Sequence, residues 1–128
     1  MPVFTKRVLF FDLSASRYAE VEAVVDSGST FSQIPQELAD QLGLSQAGSR
    51  TLRLADGRAV EQPLANMLVA LPGTGDLGAT RAVIGGPSAA IILGAHALDA
   101  LGVGVDTEGE RLIPKVGYMP AETGWITV

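Results

Sequence analysis

The chain has 128 residues, 47% of them hydrophobic, with 15 glycines and no cysteine. That is enough for one domain with its own core, and it excludes a disordered chain, disulfides and cysteine-ligated metal. The formal charge of −5 argues against a nucleic-acid partner and against an anionic membrane surface.

Val3 to Leu13 is apolar and rich in β-formers, a predicted first strand. Within it Lys6-Arg7 is followed by only Val8 to Phe11 before Asp12, too short an apolar core for a signal peptide. Ser14 to Arg17 makes a turn, and Tyr18 to Val25 returns as a second strand. Ile34-Pro35 then opens a short helix from Gln36 to Gly43, with Leu38 and Leu42 on one face, Pro35 suited to its first turn and Gly43 to its stop. Arg50 to Ala55 alternates, Asp56-Gly57 is a hairpin signal, and Arg58 to Gln62 is the returning arm, running on through Leu64 to Leu71 after a bend at Pro63. The tip of this hairpin has little to bury and is expected to project and move.

Pro72 to Gly78 reads as a loop and Arg81 to Ile84 as a strand broken by Gly85-Gly86-Pro87-Ser88. Ala89 to Leu93 is a continuous apolar run, the pattern of a strand buried on both faces. Gly94 ends it. Ala95 to Leu101 is a second short helix stopped by Gly102, with His96 decorating it. Val103 and Val105 start another strand, Asp106 to Gly109 turns, and Arg111 to Ile113 returns. The tail Trp125-Ile126-Thr127-Val128 is β-forming and apolar, as if tied down against another subunit. The uncharged run from Ala82 to Ala97 is too short, and too interrupted by Gly85, Gly86, Pro87 and Gly94, to span a bilayer. A soluble, cytoplasmic protein is the expectation.

The stretch from Val21 to Thr30 carries the chemistry. Val21, Ala23 and Val25 alternate with more polar positions, and the strand stops on Asp26, an acid in a poor solvent for its charge. Gly28 supplies a backbone free to take positive φ, flanked by the hydroxyls of Ser27 and Ser29. A weak repeat is visible as well. Val24-Val25-Asp26-Ser27-Gly28 leads to a helix ending Leu42-Gly43, and Ile91-Ile92-Leu93-Gly94 to one ending Leu101-Gly102.

Together these elements resemble the retropepsin-like aspartic proteases, the single-domain relatives of pepsin. The resemblance is carried by Val24-Val25-Asp26-Ser27-Gly28-Ser29, by the hairpin around Ala55-Asp56-Gly57-Arg58, and by Ile92-Leu93-Gly94 before a helix, and it covers roughly residues 21–113 of a single domain spanning 1–128. It implies a mainly β fold, a closed barrel with a flap hairpin and one or two short helices, assembled as a homodimer. With one Asp-Ser-Gly per chain, two subunits would each give one Asp26. A water held between them would be activated by one carboxylate while the other donates to the scissile carbonyl of an extended peptide or unfolded protein, with acid-side activity and no cofactor or metal. In this picture Ser27 braces the two loops, Gly28 lets backbone approach the carboxylate, and Ser29 donates to Asp26. Ala55, Asp56, Gly57 and Arg58 form the flap, and Ile92, Leu93 and Gly94 support the floor. Ile84 and Ile92 are candidate pocket residues.

Other readings fit less well. A phosphoaspartyl hydrolase wants a second acid where Gly28 stands, and no Gly-x-Ser-x-Gly elbow supports a serine hydrolase. His96 is the sole histidine and has no partners for a metal. Gly85-Gly86 lacks the Lys-Ser/Thr of a phosphate cradle. The alternative of a different class is a non-catalytic dimerisation or peptide-binding module on the same fold.

Overall fold

The structure, a computed structural model, describes residues 4–120. Strands β1 (Phe4–Phe11) and β2 (Tyr18–Val25) pair antiparallel, Phe4 opposite Val25 and Phe11 opposite Tyr18. Their alternation puts Val8, Phe10, Ala23 and Val25 in the core. The turn between them is organised by Asp12. One carboxylate oxygen accepts the amides of Ser16 and Arg17, the other the hydroxyls of Ser14 and Ser16.

After the Asp26 turn comes a strand that the sequence pattern does not announce, β3 (Ser32–Pro35), in which Ser32 and Ile34 are buried. Pro35 is its extended last residue rather than part of the helix, and α1 (Gln36–Leu42) starts immediately after it. Leu38, Ala39 and Leu42 face the core. Gly43 ends the helix at φ 68, and the amides of Gly43 and Leu44 return to the carbonyls of Asp40 and Ala39.

β4 (Ser49–Arg53) and β5 (Ala59–Ala70) form the hairpin. β5 runs through Pro63 as one strand, because its proline needs only tolerate pairing opposite Ser49 at the edge. The loop is longer than the two-residue turn that Asp56-Gly57 suggests. Leu54 accepts from Gly57 and donates to Arg58, with Gly57 at φ 90, so Ala55-Asp56-Gly57 is a turn with a left-handed glycine. β6 (Gly78–Gly85) pairs with β5, and Gly78 lets α2 (Ala95–Leu101) lie close, since a Cβ there would come 2.8 Å from that of Ala100. The apolar run Ala89 to Leu93 is not one buried strand. Ala89 closes a turn onto Gly86, and only Ile92–Leu93 pair, as β7. Gly102 stops α2 at φ 70. β8 (Val103–Asp106) and β9 (Arg111–Pro114) form a separate two-stranded sheet. The apolar tail 125–128 lies outside the described residues.

The larger sheet has the order β1-β2-β7-β3-β6-β5-β4, and β1 also pairs with β5 at Leu9–Ala70, so its pairings return to where they began. The fold is mainly β with two short helices. Among the described residues, no helix is long and apolar enough to cross a membrane.

The repeat is real but lies in a different register from the one the glycines suggest. One constant offset carries Asp26 onto Gly85, Gln33-Ile34 onto Ile92-Leu93, Pro35 onto Gly94 and Gly43 onto Gly102. The pairings obey it: β2 runs parallel to β7 with Val25 beside Leu93, and β6 runs parallel to β3 with Ile84 beside Ile34. The partner of the Asp26 strand is therefore β6, and Gly94 corresponds to Pro35. Each unit is strand, turn, strand, helix, and the two units exchange strands across the core.

The bonds to Asp12, that from the Arg17 amide foremost, favour the charged carboxylate and hold its pKa down from 3.8 to about 2. A lowered folded-state value means stability present above 3.8 that is lost as pH falls toward about 2. Asp12→Ala is expected to lower Tm by a few degrees near neutral pH, with the gap to the unaltered chain closing as thermal melts are repeated down that range.

Candidate active site

β2 delivers Asp26 to the end of the sheet, where its amide donates to the Leu93 carbonyl at 3.0 Å. Asp26 as a residue is half-buried. The Gly28 amide donates to Asp26 Oδ1 at 2.9 Å, and the Ser29 amide closes the turn onto the Asp26 carbonyl at 3.1 Å. Gly28 does not take positive φ, contrary to expectation. Its value is proximity: a Cβ there would stand 3.2 Å from Asp26 Oδ1. Ser27 is exposed on the outer face of the loop, beside a depression that Val103, Gly104 and Val105 also line.

Ser29 does not donate to Asp26. Its hydroxyl reaches the Phe31 carbonyl at 2.7 Å and braces the loop internally. The physical reason is the tight turn, which brings the Phe31 carbonyl within reach and leaves the near carboxylate oxygen to the Gly28 amide.

Ile92 and Leu93 of β7, and Gly94 at the start of α2, lie beneath this loop. Leu93 is fully buried and its carbonyl holds the Asp26 amide. The Gly94 amide donates to Ser32 Oγ at 3.0 Å, inside the protein. Gly94 is pressed against the loop so closely that a Cβ would fall 2.4 Å from the Phe31 oxygen and 2.7 Å from that of Ser29. The first amides of α2 finish the junction, Ala95 donating to Ser29 at 2.7 Å and His96 to Thr30 at 3.2 Å. Helix-end donors that would otherwise lack partners are thus used to hold the loop.

Above the loop lies an open cavity of about 900 Å³. Asp26 and Gly28 to Gln33 line one side, Arg50 to Ala55 of the hairpin another, with Val83, Ile92 and His96 between. Among the described residues, Asp26 is the one carboxylate in this lining. Ala55 borders the cavity, whereas Asp56, Gly57 and Arg58 form the hairpin tip beyond it. There Arg58 pairs with Asp56 at 2.8 Å. Ile92 reaches the cavity, but Ile84 turns into the core and Val83, one step along β6, lines the wall instead.

Several contributors escape a reading by motif. Ser32 is a fully buried polar link. His96 is not a mere decoration of α2; it lines the cavity and meets Phe31 edge-on, with ring centroids 5.4 Å apart. Arg50 and Leu52 come from the hairpin arm rather than its tip. Among the described residues, no group of three or more His, Asp or Glu side chains could hold a metal.

A family model described as aspartyl protease matches residues 17–97, a span that holds the Asp26 loop, the hairpin and Gly94. No curated protein matches the chain.

The glycine geometry separates two substitutions. Gly94→Ala forces backbone atoms apart and is expected to cost about 3 kcal/mol or more, a large fraction of an ordinary domain's stability. Gly86→Ala meets open space and should be near neutral. Urea denaturation of the two variants measures the contrast.

Proposed function

The chain belongs to the aspartyl protease family, and from that premise we propose that it is an aspartic endopeptidase whose working site forms when two copies bring their Asp26 loops together. The observation that carries this reading is a half-buried Asp26 opening onto a cavity that, among the described residues, holds no other carboxylate. Acid–base hydrolysis through water needs two such groups, one to take a proton and one to give it. A single chain supplies one.

The exposed face of Ser27 and the neighbouring β8 surface is where a second copy would meet this one. Two carboxylates a few ångströms apart cannot both ionise easily, so they would share a proton and titrate as a pair. The ionised member accepts a proton as the water oxygen attacks the scissile carbonyl carbon. The protonated member donates to the carbonyl oxygen. Collapse of the resulting diol breaks the C–N bond, and a proton passes to the leaving nitrogen. Gly28, whose amide holds Oδ1, fixes the carboxyl plane so that it need not reorganise during these steps.

The β4–β5 hairpin would act as the flap, closing over an extended peptide laid between its arm and the Asp26 loop. The pairing of β1 with β5 supports a closed barrel beneath it.

Digestion of an unfolded test protein across acid pH tests the reading. Asp26→Asn should lower the rate by about a thousandfold or more, as loss of both proton-transfer groups demands. Activity per chain should fall on dilution as dimers separate. A strict monomer that cleaves as fast at every concentration would rule the two-copy site out. Ser29→Ala, which removes a bond to Phe31 and not one to Asp26, should cost about 1 kcal/mol of stability. The acid limb of its pH–rate profile should stay where it is.

A further inference from the structure

The wall facing Asp26 has the opposite sign to the chain as a whole. The protein carries a formal charge of −5, yet apart from Asp26 the ionisable side chains lining the cavity are Arg50, Arg53 and His96. The register of the hairpin sorts the two arginines. Arg50 stands opposite Gln62 and Leu52 opposite Val60, and Leu52, Val60 and Gln62 are half-buried. Thr51 stands opposite Glu61 and Arg53 opposite Ala59, all of them exposed. Side chains opposed across an antiparallel pair share a face. The register therefore places Arg50, itself exposed, on the face that Leu52 and Gln62 turn toward the body, whereas Arg53 borders the cavity from the opposite face of the arm, where Glu61 is its diagonal neighbour.

The two also differ in their engagements. Arg53 Nη1 donates to the Gly57 carbonyl at 2.9 Å and stiffens the hairpin loop. The four ion pairs among the described residues engage Arg7, Arg58, Arg111 and Lys115, so Arg50 faces the cavity with no carboxylate partner there. A guanidinium in that position presents a planar fork of donors that matches a carboxylate.

We propose that Arg50 binds the carboxylate of an Asp or Glu side chain in the bound peptide, making the enzyme selective for acidic substrates. This rests on the cavity being the peptide site. The acidic side chain would lie some residues away from the scissile bond, because the Asp26 pair repels it at the centre. Arg53 and His96 add to the favourable field, and Glu61 on the outer face subtracts little through the hairpin. Lysine at the same peptide position would be rejected by like charge.

The test uses the full chain and labelled peptides identical except for Glu, Gln or Lys at one position, scanned along the sequence. At the best position kcat/KM for Glu should exceed that for Gln by about tenfold near pH 6, the size of one charge-assisted bond. The ratio should shrink toward one as pH falls below about 4, where the peptide carboxyl protonates. Arg50→Gln should abolish the preference, Arg50→Lys should retain part of it, and Arg53→Gln should keep most of it. The same peptides are titrated by fluorescence anisotropy onto the Asp26→Asn chain. Hydrolysis with equal rates for Glu and Gln overturns the role of Arg50 and leaves the protease reading standing. Tighter binding of the Glu peptide that depends on Arg50, without hydrolysis by the unaltered chain, upholds the role and overturns catalysis. Absence of both binding and hydrolysis overturns the two together.

Discussion

The close approach of Gly94 to the Asp26 loop is the constraint on which the site depends. Backbone meets backbone there at distances that leave no room for a side chain, and the Gly94 amide finds its acceptor in Ser32, on the far side of the loop. The Asp26 amide is held from β7 and the loop carbonyls from the first turn of α2. The acid is thus positioned by main-chain bonds from elements distant in sequence. Such bonds survive most changes of side chain, and they let a short turn carry a half-buried carboxyl without depending on its own flexibility. What sets the geometry is the packing of β7 and α2 beneath the loop, anchored by fully buried Leu93 and Ala97.

That packing follows from the internal repeat. Two strand–turn–strand–helix units place β2 beside β7 and β6 beside β3 in matching registers, and the first turn of α2 meets the Asp26 loop of the other unit. The units are alike in backbone and unlike in chemistry. Where one turn carries Asp26, the other carries Gly85, packed so tightly on Ala89 that a Cβ would come within 2.5 Å of it. A second carboxylate cannot be gained within the chain at this equivalent position without rebuilding the turn. The two-copy site proposed above would supply it instead, and Ser27 is exposed on that side.

Much of this was legible in the residues. A run of β-formers located β1, period-two alternation located β2 and the hairpin, and Gly43 and Gly102 marked both helix ends because each takes the left-handed backbone that glycine tolerates. The Asp26 loop and its supporting glycine were legible as a motif. β3 was not, because its inward positions are Ser32 and Ile34, and a buried serine breaks the apolar pattern that marks a strand. Its burial makes sense only once Gly94 is seen donating to it across the fold. The apolar run from Ala89 misled in the opposite direction: hydrophobic composition announced a buried strand, but Ala89 closes the turn from Gly86, Ala90 and Ile91 are irregular, and only Ile92–Leu93 form a strand. The true register of the repeat was hidden for the same reason, since the resemblance of Ile92-Leu93-Gly94 to Val24-Val25-Asp26 is local while the correspondence is set by pairing. Arg50 and His96 were invisible as site residues because nothing in their neighbourhoods says which way a hairpin arm or a helix start will face.

Three of the hairpin turns share one electrostatic device, and it bears on the proposed chemistry. Asp12, Asp56 and Asp106 each accept backbone amides within their own turns, from Arg17, Arg58 and Gly109 respectively, and each is held below the ordinary carboxyl value chiefly by that bond. Asp56 and Asp106 gain a guanidinium as well, from Arg58 and Arg111. A carboxyl whose folded-state pKa is lowered keeps its stabilising bonds above the unfolded value and loses them only as pH falls through the folded one. The turns at the ends of β1, β4 and β8 are therefore biased to keep these bonds to lower pH than an ordinary turn carboxyl would, on the acid side where the proposed carboxylate pair would work. An ordinary turn carboxyl would begin to protonate there and loosen the hairpin that borders the cavity. The acid chemistry proposed at Asp26 would ask the rest of the fold to resist the same protons, and these turns would meet that demand locally, without buried charge and without help from the core.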